Sequence, residues 1–261
     1  MSLIAVASAK FSPGASTFAE LAMLLRPQGR AALLVDCDPA GGEWLLRPGV
    51  AAEPGLVTLA MAGRRELAPH AALAHAQSVG EDLDVVVAPA AARQAASALD
   101  ILAERMGAHL AGLDDIDVVA DCGRLATSSP ALGIVAAADL VVLVSGPTVV
   151  AMVHLAPWVE QLTSEGHPVG VVLVERHQRH TLAYGPHEVA EALGVPVFGT
   201  IADDPGGASR LFAQPGSLHG LWRTHLVRSA RPVVDAVWGS LAEPRQPPAL
   251  PMRPVQEVAS R

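Results

Sequence analysis

Three segments of this sequence carry residues whose types and spacing can do chemistry. The first is Ser8-Ala9-Lys10-Phe11-Ser12-Pro13-Gly14-Ala15-Ser16-Thr17, between an apolar run and a helical pattern. A strand, a turn of small residues and a helix start form a cradle for an anion such as phosphate, because backbone N–H groups face it. Ser16 or Thr17 stands at the helix start, where a hydroxyl caps the helix or ligates Mg²⁺. An ordinary strand-to-helix turn has the same outline. The second segment, Leu33-Leu34-Val35-Asp36-Cys37-Asp38-Pro39-Ala40-Gly41-Gly42, ends an apolar strand in two carboxylates. Carboxylates at the C-terminal end of a parallel strand face the ligand crevice, although Asp-Pro also starts plain solvated turns. The third, Asp117-Val118-Val119-Ala120-Asp121-Cys122-Gly123, is another apolar strand that closes on an acid.

Taken together, the order and spacing of these segments resemble the ParA/MinD ATPases, the SIMIBI-class P-loop family with a deviant Walker A motif, K-G-G-x-G-K-[ST]-[ST]. Lys10 falls on the signature lysine of that motif, Gly14 on its last glycine and Ser16 on its Mg²⁺-binding hydroxyl. Phe11 and Ser12 replace two glycines, and Ala15 replaces the loop lysine that contacts the β- and γ-phosphates. A lost charge-assisted contact is worth roughly 1.5–3 kcal/mol, so the resemblance is to a degenerate member. It covers most of residues 1–215, because the block Ala136–Pro147 also resembles the family's fifth-strand segment. The K-x-S-P-G loop is similar to that of localisation factors of Tad-type pilus systems.

The resemblance implies ATP and Mg²⁺ as ligands. Lys10, Ser12, Pro13, Gly14, Ala15, Ser16 and Thr17 would line the nucleotide, with backbone near Pro205 against the base. Ser16, Asp121 and Asp36 would hold Mg²⁺. Asp38, supported by Asp36, would orient the attacking water, and Lys10 would reach across a face-to-face homodimer to the partner's phosphates. Glu175 stands where relatives often carry an asparagine that reads adenine. Two functions follow: an ATP–Mg²⁺-dependent dimeric switch positioning a cell-pole, pilus, secretion or partition complex, with weak or no hydrolysis, or a pseudo-ATPase scaffold that binds a protein partner without turnover. A dinucleotide oxidoreductase lacks support, since the first turn has no G-x-G-x-x-G. A hydrolase of the G-x-S-x-G type is equally unsupported.

Short Val/Leu/Ile runs alternate with helical patterns, which predicts an α/β fold with a mainly parallel sheet of about seven strands and helices on both faces. Strands are expected at Leu3–Ser8, Ala31–Asp36, Val85–Ala88, Asp117–Asp121, Leu140–Ser145, Val169–Val174 and Val197–Ile201. Helices are expected at Ser16–Leu25, Ala92–Met106, Thr148–Thr163, Pro186–Leu193 and Leu218–Leu241, the last broken near Pro232. Residues 1–242 would be one domain. The tail from Glu243 carries five prolines between Pro244 and Pro254 and is expected to be disordered.

Composition limits the remaining choices. At 261 residues, 51% hydrophobic and a net charge of −8, the chain suits one sizeable core and lacks the uniform basicity of a nucleic-acid binder. Arg210, Arg223, Arg228 and Arg231 leave DNA as a partner that is possible but not favoured, because Leu221, Leu226, Val233 and Trp238 interleave them as in a packed helix. Cys37 and Cys122 read as reduced strand-end packing in an intracellular protein. His177, His180 and His187 are too sparse for a metal site. No apolar run reaches the ~18 residues of a membrane span, and the tail offers no amphipathic membrane helix. A cytoplasmic location is expected, with recruitment to the pole or inner membrane through partners. Lys10 is the only lysine among 18 basic residues.

Overall fold

The structure, a computed structural model, describes residues 2–10, 14–27, 29, 31–80, 83–175 and 184–242. Phe11, Ser12, Pro13, His177, His180 and the tail from Glu243 lie outside them.

Eight strands form one sheet: β1 (Leu3–Ser8), β2 (Ala31–Asp36), β3 (Gln77–Val79), β4 (Leu83–Val86), β5 (Ile116–Arg124), β6 (Leu140–Ser145), β7 (Val169–Glu175) and β8 (Val197–Ala202). Their order is β3-β4-β2-β5-β1-β6-β7-β8. All neighbours are parallel except β3 and β4, which pair antiparallel at one edge. The chain leaves β1 for β2 on one side, while β6 flanks β1 on the other, so a crevice opens at the strand ends around β1.

The helices are α1 (Ala15–Leu24), α2 (Leu56–Ala62), α3 (Ala71–Ala74), α4 (Ala92–Ala111), α5 (Leu132–Ala137), α6 (Val149–Ser164), α7 (Pro186–Leu193), α8 (Pro205–Ala213) and α9 (His225–Ala242). Because side chains alternate across a pleated strand, the sheet divides two cores. Leu3, Ala5 and Ala7 face a layer holding Leu99, Leu102 and Met106 of α4. Ile4 and Val6 face Phe18 and Leu21 of α1 and Val233, Val234 and Val237 of α9. Burial on both faces is why the strands read as unbroken apolar runs.

The parallel α/β architecture and helices on both faces agree with expectation, and several boundaries differ. Among the described residues the sheet has eight strands, because β3 is a three-residue edge strand, Gln-Ser-Val, with no apolar run to mark it. The strand expected at Val85–Ala88 runs Leu83–Val86. The last helix starts at His225, not Leu218, and passes through Pro232 unbroken. Proline removes a donor and leaves the carbonyl four residues back without its bond. Pro232 and Arg228 are both exposed, so water can serve that carbonyl.

Helix α9 is fastened to α1 by Trp238, whose Nε1–H donates to the carbonyl of Ala22 at 2.9 Å across 216 residues of sequence. Trp238→Ala is expected to cost about 3–5 kcal/mol of stability. Trp238→Phe, which keeps the ring and loses one hydrogen bond, should cost about 1 kcal/mol. Urea unfolding of the two variants checks the ratio.

Candidate functional site

The strand register builds the site. Asp36 of β2 lies directly opposite Asp121 of β5, and both share the pleat parity of Leu34 and Val119, which face α1. Cys37 and Cys122 share the other parity and pack into the opposite core. Both cysteines are buried free thiols, and burial raises both thiols above their ordinary range. That leaves them as small packing groups, as expected.

Asp36 has no exposed surface and Asp121 is 2% exposed. Neither oxygen of Asp36 has a hydrogen-bond partner of good geometry. Burial, then the neighbouring Asp121 charge, pushes its carboxyl up to about 8, and the amides of Asp38 and Trp44 moderate the rise. Asp121 is pushed up to about 6 by burial, while the hydroxyl of Ser16 and the amide of Gly123 donate to it and hold it lower. The Gly123 bond measures 3.1 Å. Two carboxyls held side by side in a low dielectric cannot both ionise cheaply, so the pair retains a proton unless a cation joins it.

Asp38 sits beyond β2, half-buried, and accepts from the amide of Ala40 at 2.7 Å. Burial raises its carboxyl, and Ala40 and Arg124 draw it back. It packs against Gly123, whose φ of +60° suits glycine, and a Cβ there would lie 2.2 Å from Asp38 Cγ. Helix α1 starts behind Gly14, whose φ is +99°. Ala15 is 7% exposed and points its methyl into the core. Ser16 and Thr17 are half-buried, and Lys10 is exposed past the end of β1. Thus Ser16, Asp36, Asp38 and Asp121 come together at the strand ends, with Gly14 at the start of α1.

Beside this cluster a mainly apolar cleft is lined by Gly14, Thr17, Val174, Ile201, Asp203 and Ala208. Pro205 opens α8 at its border and is exposed. Glu175 is exposed, and its carbonyl accepts from the amide of Asp203 at 2.9 Å. Asp204 is used structurally: it caps α8 by accepting from Gly207 at 2.9 Å and also accepts from Leu226 at 3.2 Å. These amides, Gly207 foremost, hold its carboxyl below the usual range.

A third feature carries no motif to announce it. Glu20 of α1 has no exposed surface and accepts from Arg47 Nη1 at 2.5 Å. The signal available in the sequence is a lone acid within the apolar helix Phe18-Ala19-Glu20-Leu21-Ala22-Met23. Among the described residues, no three histidine, cysteine, aspartate or glutamate side chains gather as a metal-binding group. The geometry does fit Mg²⁺, which is bound through one or two carboxylates, a hydroxyl and water: Asp36 offers orphaned oxygens, and Ser16 already touches Asp121. No described helix is long and apolar enough to cross a membrane.

Solved structures share this arrangement of elements. A ParA family ATPase from Chlorobium tepidum superposes with a TM-score of 0.70 at 17% identity, over 90% of this chain and 97% of that one. The fold is that of the ParA and MinD ATPases. The septum site-determining protein MinD from Pyrococcus horikoshii, solved with Mg-ADP, gives a TM-score of 0.71 at 18% identity, over 90% and 95% of the two chains. An ATP complex of Cyanothece McdA gives 0.64 at 17% identity, over 91% and 96%. No family model and no curated protein sequence matches the chain.

Both carboxyls of the Asp36–Asp121 pair bind protons more tightly folded than unfolded, where the ordinary value is 3.8. Their contribution to stability is therefore complete below that value and is lost as pH rises through about 6 and about 8. The ligand-free protein should melt at a lower temperature at about pH 9 than at about pH 5.5, and Asp36→Asn should shrink that difference. Scanning calorimetry at the two pH values checks both.

Proposed function

We propose that this chain is an ATP–Mg²⁺-dependent switch that dimerises face to face and positions a larger assembly, with weak or no hydrolysis. The observation that carries this reading is the pair of buried carboxyls Asp36 and Asp121, opposite each other on β2 and β5 and joined to the α1 hydroxyl of Ser16 at the strand ends. In this reading Ser16, Asp121 and Asp36 hold Mg²⁺. The α1 N-terminus behind Gly14, with Ser12, Pro13, Ala15 and Thr17, meets the phosphates, and the apolar cleft bordered by Pro205 takes the base. Bound nucleotide supplies the γ-phosphate whose presence sets the switch. Asp38, supported by Asp36, orients a water, and Lys10 serves the partner's phosphates. Structures with this fold include the plasmid partition protein of Borrelia burgdorferi with AMPPNP and a MinC:MinD cell division complex from Aquifex aeolicus, which supports a positioning role with a protein partner of a pilus, secretion or partition machine.

The dimer has further support. Val149, Val150 and Val153 on the first turns of α6 are 47%, 52% and 65% exposed, and Tyr184 is 41% exposed. The Tyr184 amide donates to the Pro147 carbonyl at 2.8 Å, so the tyrosine sits beside the start of α6. This apolar surface follows β6, at the end of the sheet that carries the site. DNA is less favoured: Arg231 stacks over Trp222 at 5.5 Å, and Asp235 shares their groove. Residues 1–242 act as one domain in this reading, and location is cytoplasmic.

Isothermal titration of the full chain with ATP and Mg²⁺ tests the reading; no binding up to about 1 mM, the weak end of specific affinity, sinks it. The pseudo-ATPase alternative draws on Ala15, buried where a phosphate-binding lysine would stand, and on the residue types at Phe11, Ser12 and Glu175. Lys10→Ala separates the two. A switch loses its ATP-dependent dimer, seen by light scattering, whereas a scaffold keeps its oligomeric state and shows background phosphate release in either form.

A further inference from the structure

The Glu20–Arg47 pair is costly as it stands. Glu20 has no exposed surface and Arg47 is 5% exposed. The Arg47 guanidinium lies 4.0 Å from the Trp44 ring centre and 5.3 Å from that of Phe212. Yet Glu20 Oε1 and Arg47 Nε have no hydrogen-bond partner of good geometry. A buried ion pair stabilises only when its remaining polar atoms are satisfied, and this one is half satisfied.

Its position gives that deficit a use. Glu20 and Arg47 line a cleft with Thr17, Glu43, Ser209 and Phe212. Thr17 and Ala208 also line the apolar cleft at the start of α1, so the two clefts meet there. Glu43 is close enough to Asp121 to raise its carboxyl. Glu20 follows Ser16 by four positions, about one helical turn or ~5.4 Å along α1. Arg47 is thus a long cationic side chain stored one turn from the phosphate end, in a site where Ala15 supplies no charge.

We propose that Arg47 is the second cation of the phosphate site: a polyphosphate seated at the N-terminus of α1 draws its guanidinium from Glu20, and Glu20 takes a proton from solvent. This rests on the nucleotide reading above. The planar fork of arginine suits bidentate contact with phosphate oxygens. Burial pushes the Glu20 carboxyl up to about 7, while Arg47 and the Gly216 amide hold it lower, so losing Arg47 favours protonation near neutral pH. The charged groups that face Glu20 are Arg47 and, across the cleft, Glu43.

The test is calorimetric titration of the full chain with Mg²⁺–ATP and with inorganic tripolyphosphate, at about pH 7 in two buffers of different ionisation enthalpy. Because a cation also releases protons from Asp36 and Asp121, the readout is a difference: wild type should take up more protons, or release fewer, on binding than Glu20→Gln does. Arg47→Met should weaken both ligands at least ~10-fold while circular dichroism stays unchanged. Glu20→Gln should bind as tightly as wild type or better, with the Glu20 share of the proton count gone. Wild-type affinity in a folded Arg47→Met protein overturns the proposal, as does a proton count on binding that is the same in wild type and Glu20→Gln. If Arg47→Met does not fold, the proton counts decide: an equal count in wild type and Glu20→Gln overturns it, and a count that is more positive in wild type sustains it. Failure of wild type to bind either ligand removes the nucleotide reading itself, a different result from a folded variant that binds normally.

Discussion

The register between β2 and β5 fixes everything else at this site. It sets Asp36 against Asp121 with no residue between them and turns both carboxylates toward α1. A one-residue slip would turn the cysteines to α1 and the acids into the opposite core, because side-chain direction alternates along a strand. The register is held by the apolar side chains of both strands, which are buried on two faces and tolerate no such exchange. The core therefore specifies the site: the same alternation that packs Leu34 and Val119 against α1 presents the two acids to its N-terminus.

Close contacts then place the remaining groups. Asp38 can approach only because Gly123 has no Cβ, and a Cβ at Gly42 would lie 2.2 Å from Asp36 Oδ2. The loop after β2 thus lies against both the acidic strand ends and, through Trp44 and Arg47, the flank of α1. Helix α8 closes the same region from the other side by way of Phe212. Helix α1, the acidic loop and α8 meet in a small volume, so a change at the N-terminus of α1 is felt by elements that border the apolar cleft.

Much of this was legible in the sequence because the strand ends are marked by type. Val-Leu-Ile runs ending in Asp36 and Asp121 disclose both the parallel sheet and the acids at its rim. The Ser16–Thr17 helix start and Gly14 were legible for the same reason. What escaped had no periodic signal. The edge strand Gln77–Val79 is held by pairing with β4, and Gln77 is further occupied in binding the carbonyls of Ala51 and Pro54. The continuity of α9 through Pro232 depends on which face meets water, which tertiary packing decides. Glu20 and Arg47 are 27 positions apart and belong to no motif, so only the fold brings them together.

The ligand-free charge balance explains why such a site stays poised. Asp36, Asp121 and Glu20 all sit where burial favours their neutral forms. Among the described residues, Arg124 draws back the carboxyl of Asp38 and Arg47 pairs with Glu20. A divalent cation would relieve the Asp36–Asp121 pair, since it lowers the energy of both ionised forms together. The anion that accompanies such a cation needs a partner in turn, and the helix N-terminus supplies only about half a unit charge. With Ala15 turned into the core, that demand falls on side chains outside the loop. A site assembled this way gains its full complement of charges only when cation and anion arrive together. Proton release from the acids and occupancy by ligand are then two readings of one equilibrium.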